Sequence, residues 1–268
     1  MAQAGVTTSL LSITTPGLWL GDNASSRALA RACNDYAARL RVDHPRAFGM
    51  FAAVPLPDVD GALAEIAYGL DVLKADGVGL FTSYGDKWLG DPAFDPVMAE
   101  LNRRKTVVHV HPTSPDCCRN LVPGIPDAAI EFGTDSTRAI ARMVFGGAAA
   151  RFPDIRLIFS HAGGTMPFLI ERFDGLAKAP RYAGQLQQGF RAEARRFHYD
   201  TAQASGPIAM SALKQIIPFE RIMFGSDYPF QPAAAQAATL HQCGVFDAAE
   251  LRAIEHDNVL RLMPGLRD

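Results

Sequence analysis

The sequence lacks most of the features that identify common classes of protein. No run of about 18 apolar residues is present, so no membrane-spanning helix is expected. GxGxxG, P-loop and GxSxG motifs are also missing, which argues against dinucleotide, nucleotide and serine-esterase chemistry. The net charge is −2 and no basic stripe occurs, so the chain is not expected to bind nucleic acid or anionic membranes.

Cysteine is scarce, and the first residues do not look like an export signal. The four cysteines form no CxxC motif, and two of them, Cys117 and Cys118, are adjacent. Reduced thiols in a cytoplasmic protein are therefore the expected state. The opening MAQAGVTTSLLSITTPG has no basic segment before its apolar residues, so it does not resemble a signal peptide.

Hydrophobic residues make up 48% of the 268 positions, enough for residues 1–268 to form a single domain. Seven short apolar runs alternate with helical segments. Most of these runs are continuously apolar, which is typical of parallel strands covered on both faces. The runs are 6–14, 48–56, 77–83, 106–112, 155–163, 196–202 and 221–229.

The segments between these runs carry helix signals. Asp58 or Asp60 is suited to cap the helix that follows it, and Asp247 with Glu250 has the spacing of a capping box. A further helix is predicted over 135–153. Strands that alternate with helices predict either a (β/α) barrel or a doubly wound sheet.

Polar residues favour the barrel. His111, His161, Asp200 and Asp227 all stand at the carboxyl ends of predicted strands. Barrel enzymes build their sites at that rim, whereas a doubly wound sheet gathers such residues only near a switch point. We therefore predict an α/β fold of the (β/α)8 TIM-barrel type, although seven runs leave it one strand short.

Three of these residues predict a metal site. A lone strand histidine is more often a hydrogen-bonded core residue, and a buried carboxylate often forms a salt bridge or a helix cap. Here, however, three such residues stand at equivalent strand ends: His111, His161 and Asp227. Two imidazoles and a carboxylate form a donor set suited to Zn²⁺ or a similar ion. A histidine that is not a ligand would serve as a general acid or base.

Other candidates rest on weaker signals. Asp200 and His198 share one strand face and could point into the barrel, but a buried hydrogen-bonded pair explains them equally well. Tyr84 and Trp88 follow a strand end and are candidates for lining a pocket for an aromatic ring, although packing is the common role of such residues. His109 shares a face with His111 and lies about 6–7 Å deeper along the strand.

The motifs VVHVHPTSP, FPDIRLIFSHAGGTMPFL, RIMFGSDYPF and NVLRLM, with their order and spacing, resemble the amidohydrolase-related decarboxylases. This group includes aminocarboxymuconate-semialdehyde decarboxylase and γ-resorcylate decarboxylase, and the segment SYGDKWLGDPAFDPVMAELNRRK is most similar to members described as 6-methylsalicylate decarboxylases. The resemblance implies a distorted (β/α)8 barrel with one divalent metal, commonly zinc. It also implies that His111 and Asp227 are ligands, that His161 is catalytic beside the metal, and that Asp227 can move protons.

One departure from the family pattern is large. Family members carry an HxH or ExH metal-binding pair on a first strand, and this sequence begins after that strand. We therefore expect a barrel that lacks its first strand, with Met1 as a candidate for a mis-assigned start. His109 is expected to be a hydrogen-bonded residue of the barrel interior rather than a replacement ligand.

Three hypotheses for function follow. The leading one is a metal-dependent, non-oxidative carboxy-lyase of a small aromatic or unsaturated carboxylic acid, such as a salicylate-type acid, with His161 or Asp227 supplying the proton. Zn²⁺ is the expected ion and Mn²⁺ the alternative. The second is a hydrolase of a lactone, ester or amide on the same barrel, with His161 as general base. The third is a truncated chain with weak or no activity. The resemblance further implies a homodimer.

Overall fold

The computed structural model describes residues 1–182 and 184–267. The strands are β1 Ser9–Leu11, β2 Phe48–Ala53, β3 Gly77–Phe81, β4 Ser83–Tyr84, β5 Lys87–Trp88, β6 Val107–His111, β7 Arg156–Phe159, β8 His198–Asp200 and β9 Ile222–Met223. Seven of them are parallel and form one sheet in the order β1-β2-β3-β6-β7-β8-β9, and β4 and β5 form a separate antiparallel hairpin.

The strand order confirms the predicted fold class. The seven strands of the sheet follow one another in chain order, so the sheet has no switch point of the kind that defines a doubly wound fold. Each of the seven predicted apolar runs contains one of these strands. The β4–β5 hairpin was not predicted, because its strands have only two residues each.

Helices connect the strands and cover the outer face of the sheet. They are α1 Asn23–Asp43, α2 Val59–Ala67, α3 Asp95–Arg103, α4 Asp127–Phe145, α5 Ala148–Arg151, α6 Met166–Ala177, α7 Phe190–Ala194, α8 Pro207–Lys214, α9 Ala233–Gln242, α10 Ala248–Arg252 and α11 Asn258–Leu262. Asp58 caps α2, and Asp247 with Glu250 forms the predicted capping box. The helix predicted over 135–153 begins earlier, at Asp127, and is interrupted after Phe145.

The sheet curls until its inner side chains meet. Phe51, Val107, Ile158 and Met223 belong to four different strands, yet they form one buried cluster, which Leu262 and Met263 from the chain end complete. The alternate residues of the strands point outward into a larger core shared with the helices. Arg156, the first residue of β7, donates a hydrogen bond to the Leu262 carbonyl, so the chain end lies at the amino-terminal end of the barrel.

The sheet has two edges within the described residues. β1 pairs with β2 alone, and β9 pairs with β8 alone. Seven strands were predicted for the sheet and the described sheet has seven, and the opening of the barrel lies between its edge strands β1 and β9. Among the described helices, none is both long and apolar enough to cross a membrane.

The structure departs from the prediction of reduced thiols at one pair of cysteines. Cys117 and Cys118 are paired as a disulfide between neighbouring residues in the loop after β6. Cys33 and Cys243 are free.

His198 lies at the amino-terminal end of β8, away from the strand ends that carry the predicted site residues. Its side chain is buried, and its Nε2 accepts a hydrogen bond of 3.0 Å from Nη1 of Arg221. Burial lowers the pKa of His198 to about 4, and the charge of Arg221 acts in the same direction. The folded protein therefore keeps this imidazole neutral over a range in which the unfolded chain is protonated.

We predict that this histidine makes folding sensitive to acid. Because the folded pKa lies below the ordinary value of 6.5, the unfolded state binds the proton first as the pH falls from about 6.5 to about 4. The free energy of unfolding should fall by about 3 kcal/mol across that window on this account. In His198→Gln, whose Oε1 can still accept from Arg221, that part of the pH dependence should vanish. Urea unfolding of both proteins at several pH values checks this, and equal pH dependence would contradict it.

Candidate metal centre

His111 ends β6 with a fixed protonation pattern. Its Nδ1 lies 2.7 Å from the carbonyl oxygen of Pro112. A carbonyl oxygen can only accept, so the neutral ring carries its hydrogen on Nδ1 and presents the lone pair of Nε2. That Nε2 lies 3.7 Å from Oδ1 of Asp227 and 3.4 Å from Oγ1 of Thr14, a residue after β1 that was not predicted.

His161 follows β7 and is fixed in the same way. Its Nδ1 lies 2.9 Å from the carbonyl oxygen of Ala202, so Nδ1 donates and Nε2 is left free. Its backbone N–H donates to Oδ1 of Asp200 at 3.0 Å. The rings of His111 and His161 meet at nearly a right angle, with centroids 5.4 Å apart.

Asp200, at the end of β8, connects these neighbours. Its Oδ1 accepts the N–H groups of His161 and Ala202, and its Oδ2 lies 3.3 Å from Nε2 of His109. Burial raises the pKa of Asp200, but the contact with His109 and the proximity of His161 outweigh burial and hold that pKa below its ordinary value. Both oxygens are therefore occupied by groups of the protein that orient the loop carrying His161.

Asp227 follows β9 and turns one oxygen toward His111. Its Oδ2 accepts a hydrogen bond from Nε2 of Gln203, another residue that was not predicted. Burial raises the pKa of Asp227, but its contacts with His111 and Gln203 outweigh burial, so that pKa also lies below its ordinary value. The carboxylate is ionised at neutral pH.

The backbone is strained where these residues meet. Non-glycine residues seldom adopt positive φ, and such strain persists where the surrounding structure enforces it, often at functional sites. Eight described residues of this kind occur, and four lie here: His161 (φ 54°), Ala162 (φ 55°), Gln203 (φ 51°) and Asp227 (φ 59°).

The converging atoms fit a cation. Ligand atoms of His111, His161 and Asp227 all lie within 4.8 Å of one another. The free imidazole nitrogens and the carboxylate are acceptors, and acceptors that face one another repel unless a positive charge lies between them. Two imidazoles and a carboxylate suit divalent ions such as Zn²⁺ and Mn²⁺. The three strongest predicted site residues are thus brought together as one candidate site for a divalent metal.

His109 lies one layer below this cluster. Its ring stacks on Phe51, with centroids 5.3 Å apart and planes 19° apart, and its Nε2 contacts Asp200. It is not among the residues that converge on the metal centre. The prediction of a hydrogen-bonded interior residue is therefore confirmed.

Tyr84 and Trp88 lie in the β4–β5 hairpin. The Tyr84 hydroxyl accepts the N–H of Phe81, and the Trp88 indole N–H donates to Asp135. Phe81 and Phe132 flank His111 edge-on, with ring centroids at 6.2 and 5.9 Å. The polar atoms of Tyr84 and Trp88 are thus bonded within the protein, and the rings next to His111 belong to two phenylalanines that were not predicted.

Glycines permit the turn after His161. Gly163 and Gly164 have φ values of 73° and 68°. A Cβ on Gly163 would overlap the Tyr199 ring, and one on Gly164 would overlap the carbonyl oxygen of Gly133 in α4. This glycine pair therefore lets the turn pack directly against α4.

Comparisons with known proteins find related sequences and similar folds. The sequence model of the amidohydrolase family matches residues 4–264. A 6-methylsalicylic acid decarboxylase of Penicillium expansum is 37% identical over 275 residues, which cover 99% of this chain and 84% of the relative. The crystal structure of 2,6-dihydroxybenzoate decarboxylase from Rhizobium matches with a TM-score of 0.89 at 23% identity, over 98% of this chain and 86% of that one. The structure of a dihydroxybenzoic acid decarboxylase from Polaromonas sp. JS666 contains manganese and 2-nitroresorcinol. It matches with a TM-score of 0.83 at 21% identity, over 98% of this chain and 83% of that one.

We predict opposite effects for two glycine substitutions. Gly164→Ala should lower the free energy of unfolding by at least about 2 kcal/mol, because it adds positive-φ strain to an overlap with α4. Gly175→Ala, in the last turn of α6 where a Cβ meets no neighbour, should raise it by about 0.5 kcal/mol. Chemical unfolding of the two variants and the parent measures both, and a Gly164→Ala protein as stable as the parent would contradict the packing described for the turn.

Proposed function

This chain belongs to the amidohydrolase family, and on that premise we propose that it is a metal-dependent, non-oxidative decarboxylase of a small aromatic acid of the salicylate type. The observation that carries the proposal is the convergence of acceptor atoms from His111, His161 and Asp227, in a chain 37% identical to a 6-methylsalicylic acid decarboxylase. No oxidising cofactor is required, because the carbon that loses CO₂ gains a proton.

His111 and Asp227 would hold the metal in this proposal. A hydrogen bond from Nδ1 to the Pro112 carbonyl orients the His111 ring, and a hydrogen bond from Gln203 orients the Asp227 carboxylate. The metal-binding atoms of both residues are thus oriented before any ion binds. A divalent ion held there would supply a Lewis acid for the oxygen atoms of the acid substrate. Zn²⁺ is the proposed ion, and Mn²⁺ is the alternative suggested by the manganese in the Polaromonas enzyme.

His161 is proposed as the proton donor. Because its Nδ1–H is engaged with Ala202, only Nε2 can exchange a proton with a bound molecule, and the donor is the doubly protonated ring, which carries a second hydrogen on Nε2. That proton passes to the ring carbon bearing the carboxylate. The bond from this carbon to the carboxylate then breaks, CO₂ leaves, and the bonding electrons restore the aromatic ring. Asp227 is the second candidate for moving this proton, since its carboxylate lies at the same centre.

An aromatic wall next to the centre supports an aromatic substrate. Phe81 and Phe132 lie edge-on to His111 and are only partly buried, and Tyr84 packs behind Phe81. We propose that the two phenylalanines contact the substrate ring. Trp88 and Asp200, whose polar atoms are bonded to protein groups, would act on the substrate indirectly.

The expected homodimer stays a prediction. Sedimentation velocity on the purified chain, with and without Mn²⁺, distinguishes a monomer from a dimer directly.

We predict that different substitutions abolish metal binding and proton transfer. His111→Ala and Asp227→Ala should lose the ion on dialysis, because each removes a donor. His161→Asn should keep most of the ion but lower kcat by about 100-fold or more, the usual effect of removing a general acid. Metal analysis and CO₂ release from a panel of salicylate-type acids are the measurements.

Two substitutions serve as controls. His256→Ala and Asp86→Ala remove the same side-chain types from exposed positions and should change neither quantity. Turnover of a lactone panel without CO₂ release from any acid would contradict the decarboxylase and favour a hydrolase. Loss of the ion from the parent chain would contradict the metal site.

A further inference from the structure

Asp135 is a buried carboxylate that the proposed chemistry does not use. It lies in α4, and its side chain has no exposed surface. Its Oδ2 accepts the hydroxyl groups of Thr82 and Ser83, and its Oδ1 accepts the indole N–H of Trp88. The nearest cation, Arg138, is 4.0 Å away, so these three hydrogen bonds provide most of its compensation for burial.

Thr82 connects this carboxylate to the strand end that carries His111. The Thr82 backbone N–H donates to the carbonyl oxygen of His111 at 3.0 Å. Its Oγ1 accepts the N–H of Thr113 at 3.2 Å. Pro112, between them, has no N–H, and its carbonyl accepts from Nδ1 of His111. Thr82 therefore bonds the His111 carbonyl and the Thr113 N–H, and the His111 ring bonds the Pro112 carbonyl between them.

The direction of these bonds is set by charge. Burial raises the pKa of Asp135, and its hydrogen bonds with Thr82, Trp88 and Ser83 oppose that rise. In its ionised form the carboxylate only accepts, so the Thr82 hydroxyl donates its hydrogen to Asp135. The lone pairs of the same hydroxyl are then available to the Thr113 N–H. A one-way chain of hydrogen bonds results, which runs from Thr113 through Thr82 to Asp135.

We propose that Thr82 and Asp135 are positioning residues for the metal ligand His111, an inference that rests on the proposed metal role of that histidine. The chain of hydrogen bonds holds the peptide after Pro112. The Pro112 carbonyl in turn sets the rotation of the His111 ring through Nδ1. Partners of this kind, one step behind a ligand, orient the donor atom and are commonly worth about 10–100-fold in metal affinity.

Ser83 offers a matched control. Its hydroxyl donates to the same Oδ2 of Asp135 at 2.8 Å, and its side chain is buried as Thr82 is. It makes no hydrogen bond with residues 111–113 among those described. Ser83→Ala therefore removes one hydrogen bond to Asp135 and leaves the Thr113 N–H bonded. Thr82→Val, with nearly the same side-chain shape, removes a hydrogen bond to Asp135 and also the acceptor of the Thr113 N–H.

The test compares Thr82→Val, Thr82→Ser and Ser83→Ala in the full chain. Affinity for Mn²⁺ and Zn²⁺ is measured by competition with a chelating dye, and melting temperature is measured without metal. We expect Thr82→Val to lose about tenfold in affinity, with Thr82→Ser and Ser83→Ala within about threefold of the parent. Similar melting temperatures for Thr82→Val and Ser83→Ala would show that the affinity loss is not a general loss of stability. Equal affinity in Thr82→Val and Ser83→Ala would overturn the proposal.

Hydrogen exchange of the metal-free proteins provides a second readout. The Thr113 amide should exchange faster in Thr82→Val and should keep the parent rate in Ser83→Ala. This result separates the inference from the proposed function: a parent chain that binds neither ion refutes the metal site, while unchanged Thr113 exchange in Thr82→Val refutes the positioning role.

If Thr82→Val does not fold, Asp135→Asn takes its place. Its amide NH₂ faces either the Trp88 N–H, where two donors repel and the Trp88 bond is lost, or the Thr82 hydroxyl, where the direction of that bond is reversed, so each arrangement loses one of the bonds that hold residue 135. Metal affinity should therefore fall relative to Ser83→Ala, and an unchanged affinity would count against the proposal.

Discussion

Both faces of the parallel sheet are apolar, and burying the inner face requires the sheet to curl. When Phe51, Val107, Ile158 and Met223 meet inside the barrel, the carboxyl ends of their strands are drawn together on one rim. That closure brings polar residues that are far apart in the sequence to within a few ångströms. The candidate metal centre thus depends on hydrophobic burial, a layer below the atoms that would carry the chemistry.

The hydrogen bonds of the rim side chains then determine which kind of ligand the rim can bind. His111 and His161 each donate from Nδ1 to a carbonyl oxygen, which directs the free nitrogen of each ring inward. Asp227 adds a carboxylate, so His111, His161 and Asp227 each turn an acceptor atom toward the centre. The strained backbone of the loops, and the buried hydrogen bonds behind them, are consistent with a site held ready before an ion enters.

The sequence predicts this arrangement only where a local pattern marks it. Continuous apolar runs identify all seven strands of the sheet, and polar residues at their ends identify His111, His161 and Asp227. Thr14 and Gln203 carry no such signal, since their contacts arise from chain segments that only the curl of the sheet brings together. The two-residue strands of the β4–β5 hairpin are too short for any periodicity, so the surroundings of Asp135 were equally hidden.

The proposed position of the divalent ion is the point where the ends of β6, β7 and β9 converge. Anomalous diffraction from crystals grown with Mn²⁺ tests it most directly, because it locates the ion without reference to activity. We predict one strong anomalous peak within coordination distance of His111 Nε2 and an Asp227 oxygen. The absence of a peak there, or a principal peak elsewhere on the protein, would contradict the assignment of the site.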